Sequence, residues 1–145
     1  MAAIQTPEQA ETFVAKVFEI LDSYDYGRFS EVLATDVEYE GGLQKASGLE
    51  NFINDVKESV KKIPGMKTSH SRYKNEISSE GTIYSSGHST ATFESHPDKP
   101  VTVPMIGVFK LHTDGPESGK VKELKVYKDR LPFLALHQQL PGMKA

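Results

Sequence analysis

Residues 101–128, VTVPMIGVFKLHTDGPESGKVKELKVYK, contain two runs in which apolar and polar side chains alternate. Alternation with a period of two is typical of a strand that has one buried face. Residues 114–119 separate the runs 101–112 and 121–128, and their glycines, proline and aspartate favour a turn. The segment therefore predicts two antiparallel strands joined by a loop.

The same pattern extends upstream as far as Pro64. The runs 67–77 and 82–94 also have the composition of strands, and turn-forming residues separate them from each other and from the run at 101. Long strands joined by short links pair antiparallel with their neighbours in the chain. We therefore predict a four-stranded meander over the second half of the sequence.

The first part of the chain has helical periodicity instead. Thr6 and Pro7 are typical of the start of a helix, and apolar residues then recur every three to four positions as far as Leu21. A break follows, and a short second helix is predicted over 28–34.

Three more elements complete the predicted order. We expect a short strand over 37–40 and a helix over 49–63, the latter started by a capping box between Ser47 and Glu50. A last helix is predicted over 131–140.

The composition of the 145 residues excludes several classes of protein. Cysteine is absent, which rules out disulfides, thiolate metal sites and a cysteine nucleophile. The five histidines lack metal-binding spacings such as HxxxH, so no metal is expected. A formal net charge of -3 argues against a nucleic-acid partner. No apolar run approaches the roughly 20 residues of a membrane span and no secretion signal is visible, so we expect a cytoplasmic protein that does not contact membranes.

Helices followed by a meander indicate an α+β domain, here one domain over residues 1–145. Because three helices cannot cover both faces of the sheet, we predict a cone-shaped, curved, mostly antiparallel sheet wrapped around the N-terminal helices, with a pocket on its concave side. Apolar residues of the convex face, Val101, Ile106, Val108 and Val121, favour a homodimer through that outer face.

Four segments of this sequence resemble the nuclear transport factor 2-like superfamily and, within it, the SnoaL-like group of polyketide cyclases and isomerases. Residues 33–37 (LATDV) and 48–52 (GLENF) carry the less specific part of the resemblance. Residues 103–111 (VPMIGVFKL) and 119–132 (GKVKELKVYKDRLP) carry the more specific part. The resemblance covers nearly the whole chain and implies a cystatin-like α+β barrel around a small-molecule pocket.

Strand alternation assigns the side chains that face this pocket. Matching the first strand to isomerase-like members of the superfamily points Val37, Tyr39 and Gly41 inward. In the strand over 82–94 we predict that the even-numbered residues from Tyr84 to Thr92 face inward. The predicted substrate-binding residues are Phe18, Ser86, Thr90, Met105, Phe109, Leu124, Val126 and Lys128.

His88 is the leading candidate for proton transfer. It is predicted in the middle of a strand on the concave face, and an imidazole titrates near neutral pH. The alternative is a buried histidine that is satisfied by a neighbouring hydroxyl group. Tyr39 can donate a hydrogen bond to a substrate oxygen or to a developing oxyanion, and its alternative is an amphipathic core tyrosine.

Two carboxylates complete the list of candidate catalytic residues. Asp129 stands in a Tyr-x-Asp-x-x-Pro context that resembles SnoaL-like proteins, some of which use a nearby acid as a proton shuttle; its alternative is a helix cap. Glu40 is predicted to face outward but would face inward if the register of its strand slipped by one residue. His70 and Arg72 share one face of their strand, and weak alternation leaves the direction of that face open.

The acid–base residues of the best-known relatives are missing. The resemblance places the general base of the ketosteroid isomerases at Gly41, their oxyanion-hole aspartate at Gly107 and their tyrosine at Val17. The pattern still favours a cofactor-independent enzyme that isomerises, cyclises or dehydrates a hydrophobic molecule by acid–base catalysis in an enclosed pocket. The resemblance implies a polyketide- or terpenoid-like biosynthetic intermediate. The alternative is a non-catalytic small-molecule-binding or dimerisation module of the same fold.

Overall fold

Helices come first in the chain and a sheet follows them. The computed structural model describes residues 3–42 and 44–139. Their elements in chain order are α1 (Pro7–Ser23), a 3₁₀ helix (Tyr26–Glu31), β1 (Leu33–Gly41), β2 (Gln44–Ser47), α2 (Leu49–Lys62), β3 (Met66–Ile77), β4 (Ile83–Phe93), β5 (Val101–Leu111), β6 (Val121–Lys128) and α3 (Leu131–Gln139). Within these residues, no helix has both the length and the apolar character needed to cross a membrane.

The described strands form one curved, unclosed mixed sheet in the order β2-β1-β6-β5-β4-β3. The strands β3 to β6 pair antiparallel in succession, which confirms the predicted meander. β1 pairs in parallel with β6 and antiparallel with β2. The predicted α+β class, with a curved sheet packed on N-terminal helices, is confirmed.

A bulge brings β3 and β4 into unusually close contact. The pairing register of β3 shifts between Arg72 and Lys74, and such an irregularity bends a strand and increases its twist. A Cβ atom on Gly87 of β4 would lie only 2.8 Å from the Cα atom of Arg72. The two backbones can approach at this point because residue 87 is a glycine.

Helix α1 fills the concave side of the sheet. It begins with a capping box in which Thr6 Oγ1 accepts from the Gln9 amide while Gln9 Oε1 accepts from the Thr6 amide. Its buried residues include Val17 and Phe18, and the Phe18 ring packs edge-on against Phe109 of β5 with centroids 5.8 Å apart. This packing anchors the helix on the middle of the sheet.

The capping box predicted for the second long helix is wrong. Helix α2 begins after Gly48, which has a φ of 89° and no side chain to cap the helix. Ser47 belongs to β2, and its hydroxyl donates to Glu38 Oε2 on β1 at 2.7 Å. The strand β2 was not predicted, because four residues are too few to show a period.

Two helix boundaries also differ from the prediction. The helix predicted over 28–34 is the 3₁₀ helix Tyr26–Glu31. The last helix runs to Gln139, and residue 140, the predicted end, lies outside the described residues.

The convex face of the sheet carries exposed apolar side chains among polar ones, though not all the predicted residues are there. Val121 is fully buried in the core, so its predicted position on the outer face is wrong. Val101 faces the concave side instead, in phase with the buried Val103. Ile106 is 44% exposed, and the other large exposed side chains of this face are Tyr73, Tyr84 and Tyr127.

Candidate functional site

A cavity of about 780 Å³ opens between the concave face of the sheet, the end of α2 and the start of α3. Its wall is mostly apolar, with side chains of Ile63, Met66, Ala91, Val101, Val103, Val126, Phe133 and Leu134. The polar side chains on the wall are Tyr39, Gln44, Ser59, Lys62, Thr68, Ser89, Lys128, Asp129 and Arg130. Such a volume, with polar groups set into a surface that is mostly apolar, is typical of a small-molecule site.

Tyr39 faces this cavity from β1, in the predicted direction. Its ring packs against Phe52 of α2 with centroids 4.6 Å apart, which fixes its orientation. Burial raises the pKa of the Tyr39 hydroxyl above its usual value, and the positive charge of Arg130 opposes this only in part. The hydroxyl therefore stays protonated at neutral pH and can donate a hydrogen bond to a bound molecule.

Two glycines make room for the polar groups at this end of the cavity. A Cβ atom on Gly41 would lie 2.8 Å from Tyr39 Cζ, within the space of the ring. A Cβ atom on Gly42, which has a φ of 61°, would lie 2.6 Å from Arg130 Nη1. Tyr39 and the Arg130 guanidinium thus lie against adjacent residues of the same turn.

Lys128, at the end of β6, also faces the cavity as predicted. Burial lowers the pKa of its ammonium group, the charge of Arg130 lowers it further, and the carboxylate of Asp22 acts in the opposite direction. The side chain is nevertheless exposed at the cavity mouth, so its charge keeps part of its hydration and is accessible to a bound molecule.

Asp129 lies on the wall but holds a helix terminus. Its Oδ1 accepts from the amide of Leu131 at 2.9 Å, and the first helical bond of α3 runs from Leu134 to the Arg130 carbonyl. Asp129 thus closes the turn that leads into α3, one residue before the N-cap Arg130, which is a structural role of the kind given as the alternative to catalysis.

His88 does not reach the cavity, so the prediction that it faces inward is wrong. In β4 the residues that point toward the core are the odd-numbered ones, with Ile83 and Phe93 buried at the two ends. His88 is exposed on the convex face, where its ring lies 5.5 Å from that of Tyr73. The structure gives it no contact with a molecule in the cavity.

Because β4 presents the opposite face from the one predicted, two predicted substrate-binding residues also lie outside the cavity. Ser86 and Thr90 share the convex face with His88, and Thr90 Oγ1 lies 2.9 Å from Thr102 Oγ1 on the outside of β5. Glu40 also points outward, 3.9 Å from the Lys45 ammonium, so no register slip brings it into the site.

The other predicted wall residues divide into two groups. Val126 and Lys128 contact the cavity. Phe18, Met105, Phe109 and Leu124 do face the concave side, but they are packed in the core and do not reach the cavity wall.

His70 and Arg72, whose direction the sequence left open, face α1. His70 Nδ1 lies 2.9 Å from Asp22 Oδ2, and its ring stacks on Phe18 at 4.2 Å. Thr68, which is on the cavity wall, donates to Asp22 Oδ1 at 2.7 Å. The imidazole is thus part of a hydrogen-bonded network in which Asp22 links His70 to Thr68.

Sequence reasoning missed Arg130, Lys62 and the α3 side chains Phe133 and Leu134, all on the cavity wall. Lys62 ends α2, Arg130 stands between β6 and α3, and Phe133 and Leu134 belong to α3, so strand alternation gives none of them a direction. For β4 a signal was available, because its two bulky apolar residues, Ile83 and Phe93, are both odd-numbered and therefore define the buried face.

One curated protein is closely similar to this chain in sequence. The sordarin/hypoxysordarin biosynthesis cluster protein G of Sordaria araneosa is 70% identical over 142 residues, which cover 98% of this chain and 95% of that protein. No protein-family profile matches the chain.

Solved structures share the fold at low sequence identity. A protein of Shewanella denitrificans described as a SnoaL-like polyketide cyclase superposes with a TM-score of 0.70 and 13% identity, over 90% of this chain and 97% of that one. A protein of Jannaschia with the same description gives 0.69 and 16%, over 97% and 99%. At these identities the likeness concerns the fold.

Proposed function

Because the chain belongs to the family of the sordarin/hypoxysordarin biosynthesis cluster protein G and has the SnoaL-like fold of the nuclear transport factor 2-like superfamily, we propose that it is an enzyme of secondary-metabolite biosynthesis. It binds a hydrophobic polyketide- or terpenoid-like intermediate and cyclises it without a cofactor. Isomerisation and dehydration are the other reactions that the same cavity could serve.

The observation that carries this proposal is the cavity itself. About 780 Å³ of mostly apolar space meets a small group of polar side chains, Tyr39, Lys128 and Arg130, at one end. An apolar wall can hold a flexible substrate in one folded conformation, and fixing a reactive conformation removes much of the entropic part of a cyclisation barrier. The polar end then fixes which way the substrate lies.

Tyr39 is the proposed catalytic residue. Its protonated hydroxyl points into a poorly hydrated space, where a hydrogen bond to a substrate carbonyl oxygen strengthens as negative charge develops on that oxygen. Among the residues that the structure describes, the cavity wall contains no histidine and no glutamate. Its carboxylate is Asp129, whose Oδ1 already accepts a hydrogen bond from the amide of Leu131.

The convex face supports a proposed homodimer. Ile106 lies opposite Ser86 on β4 and Tyr127 on β6, so its exposed side chain is flanked by a second exposed apolar residue. Charged residues of both signs surround this patch, including Lys125 paired with Glu123 at 3.3 Å. A surface of mixed sign can meet its own copy across a two-fold axis without net repulsion.

The enzymatic proposal can be tested in Sordaria araneosa. Deletion of cluster protein G is expected to leave a biosynthetic intermediate that accumulates, and the purified chain described here is expected to convert it, as followed by liquid chromatography and mass spectrometry. Tyr39→Phe should lower kcat by roughly 100-fold, the effect of losing one oxyanion donor. An exposed tyrosine, Tyr73→Phe, serves as the control.

A non-catalytic binding protein would give a different result. The intermediate would then bind to the protein and be recovered unchanged after prolonged incubation. If Tyr39→Phe converted the intermediate as fast as the wild-type protein does, the enzymatic function would stand but the catalytic role of Tyr39 would be rejected.

A further inference from the structure

The charge of the cavity is opposite in sign to the charge of the chain. Its described wall carries the cations Lys62, Lys128 and Arg130 and the carboxylate Asp129. The whole sequence has a formal net charge of -3. The three cations are exposed at the cavity mouth, where an entering molecule can reach them, and their like charges repel one another. The arrangement therefore favours a ligand that brings negative charge.

The cavity cations also lack close counter-ions. Within residues 3–42 and 44–139, none of the ion pairs includes Lys128 or Arg130. The lysines of the convex face behave differently, since Lys110 and Lys125 both pair with Glu123, at 3.7 and 3.3 Å. An anion at the polar end of the cavity would supply the counter-ion that these two cavity side chains do not have.

The polar groups converge because of the local backbone. The β1–β6 register places Gly41 beside Val126, and Lys128 follows two residues later on the same face. The Arg130 guanidinium lies across Gly42 and the Tyr39 ring lies against Gly41. Arg130 is close enough to both partners for its charge to act on each of them.

We propose that Lys128 and Arg130 form a carboxylate-binding subsite, and hence that the substrate is a hydrophobic carboxylic acid. The inference rests on the proposed function, since it names the class of molecule that the enzyme takes. A guanidinium matches the two oxygens of a carboxylate and an ammonium adds a point charge, which leaves the Tyr39 hydroxyl free for the reacting oxygen. The apolar wall, including Val103 and Phe133, receives the rest of the molecule.

The test compares two rigid probes that differ only in the polar group. Adamantaneacetate and adamantaneethanol bring the same apolar cage to the wall, and isothermal titration gives the Kd of each. We expect the wild-type protein to bind the acetate between about 10-fold and 100-fold more tightly than the alcohol, the range for hydrogen bonds to charged groups. Lys128→Met and Arg130→Gln should each remove most of this preference and leave the affinity for the alcohol within about 3-fold, since neither changes the apolar wall.

Two controls separate binding from folding. Lys67→Met removes a lysine exposed on the opposite face of β3 from Thr68, and it should keep the full preference for the acetate. The melting temperature of Lys128→Met should equal that of the wild-type protein, because the replaced side chain is exposed and belongs to none of the ion pairs among the described residues. A loss of acetate binding at an unchanged melting temperature is then a loss of the subsite and not of the fold.

Several outcomes would overturn the inference. These are equal Kd values for the two probes, a preference that survives in both variants, or no saturable binding of the acetate at millimolar concentration. If the phosphate ester of the same alcohol bound more tightly than the acetate, the subsite would be assigned to a phosphate and the carboxylate would be rejected. The proposed function fails separately, by lack of conversion of the accumulated intermediate. If the protein converted an intermediate that has no carboxylate, the carboxylate subsite would be rejected while the proposed enzymatic function would be retained.

Discussion

At the scale of single residues, two missing side chains shape the polar end of the cavity. Gly41 and Gly42 follow each other in the turn after β1, and the space beside them is occupied by Tyr39 and Arg130. Any side chain at residue 41 or 42 would occupy this space and force the Tyr39 ring or the Arg130 guanidinium to move. The position at which the resemblance to the ketosteroid isomerases places a general base is thus a glycine that leaves room for the tyrosine ring.

Gly41→Ala should therefore disturb the site through Tyr39. The new Cβ atom would lie 2.8 Å from Tyr39 Cζ, so the ring must move away from its packing on Phe52. We expect a loss of about 1–3 kcal/mol in the free energy of unfolding, typical of overpacking, together with a fall in turnover. Urea denaturation and the conversion assay measure the two effects.

Gly27→Ala is the matched control for this change. A Cβ atom on Gly27 would lie 3.7 Å from the nearest atom, Asp25 Oδ1, which is an ordinary contact. That variant should be unchanged or more stable by up to about 1 kcal/mol. Wild-type stability and turnover in Gly41→Ala would show that Tyr39 is not held by Gly41.

The sequence allowed part of this site to be predicted. Tyr39 was assigned to the cavity by matching its strand to isomerase-like members of the superfamily. Val126 and Lys128 were assigned because β6 alternates, and a period of two fixes the direction of each residue in a strand. Arg130 could not be found in this way. It stands between a strand and a helix, and its direction depends on the turn at Gly42, which is far away in the sequence.

At the scale of elements, β4 shows how a strand with small inward side chains can be predicted with its two faces exchanged. Its inward residues include Ser85, Gly87 and Ser89, while the outward ones include Tyr84 and His88. In the middle of the strand the larger side chains are thus outside, and at Gly87 the backbone of β3 leaves no room for a Cβ atom. A prediction that weighs functional groups more than apolar volume selects the wrong face of such a strand.

Asp129 can be assigned to one of its two roles by a pair of substitutions. Asp129→Ala removes the acceptor of the Leu131 amide and should cost about 1 kcal/mol of stability, as loss of a helix cap does. Asp129→Asn keeps an oxygen at that position and should retain both stability and turnover. Urea denaturation and kcat are the measurements.

The informative result is turnover in the asparagine variant. An amide cannot carry the proton that a carboxylic acid shuttles, yet it can accept from the same backbone amide. If Asp129→Asn kept its stability but lost turnover, Asp129 would be a proton-transfer residue and not only a cap.

At the scale of the whole molecule, the order of elements was sufficient to predict the architecture. A helical first part and an alternating second part lead to a curved sheet packed on helices, because the apolar faces of both must be buried together. The parallel pairing of β1 with β6 was not predicted. Leu33 and Val121 are paired although 88 positions separate them, and no local pattern specifies such a partner.

The convex face gives the last prediction. Burying exposed side chains such as Ile106, Tyr84 and Tyr127 against a second copy would remove apolar surface from water, and a stable dimer needs roughly 1,200–2,000 Å² of total buried area. Ile106→Glu would place two like charges near a two-fold axis and should convert the dimer to a monomer, as measured by sedimentation velocity. Thr12→Glu, which adds the same charge on the exposed side of α1, should stay dimeric. A wild-type protein that sediments as a monomer at micromolar concentration would refute the dimer.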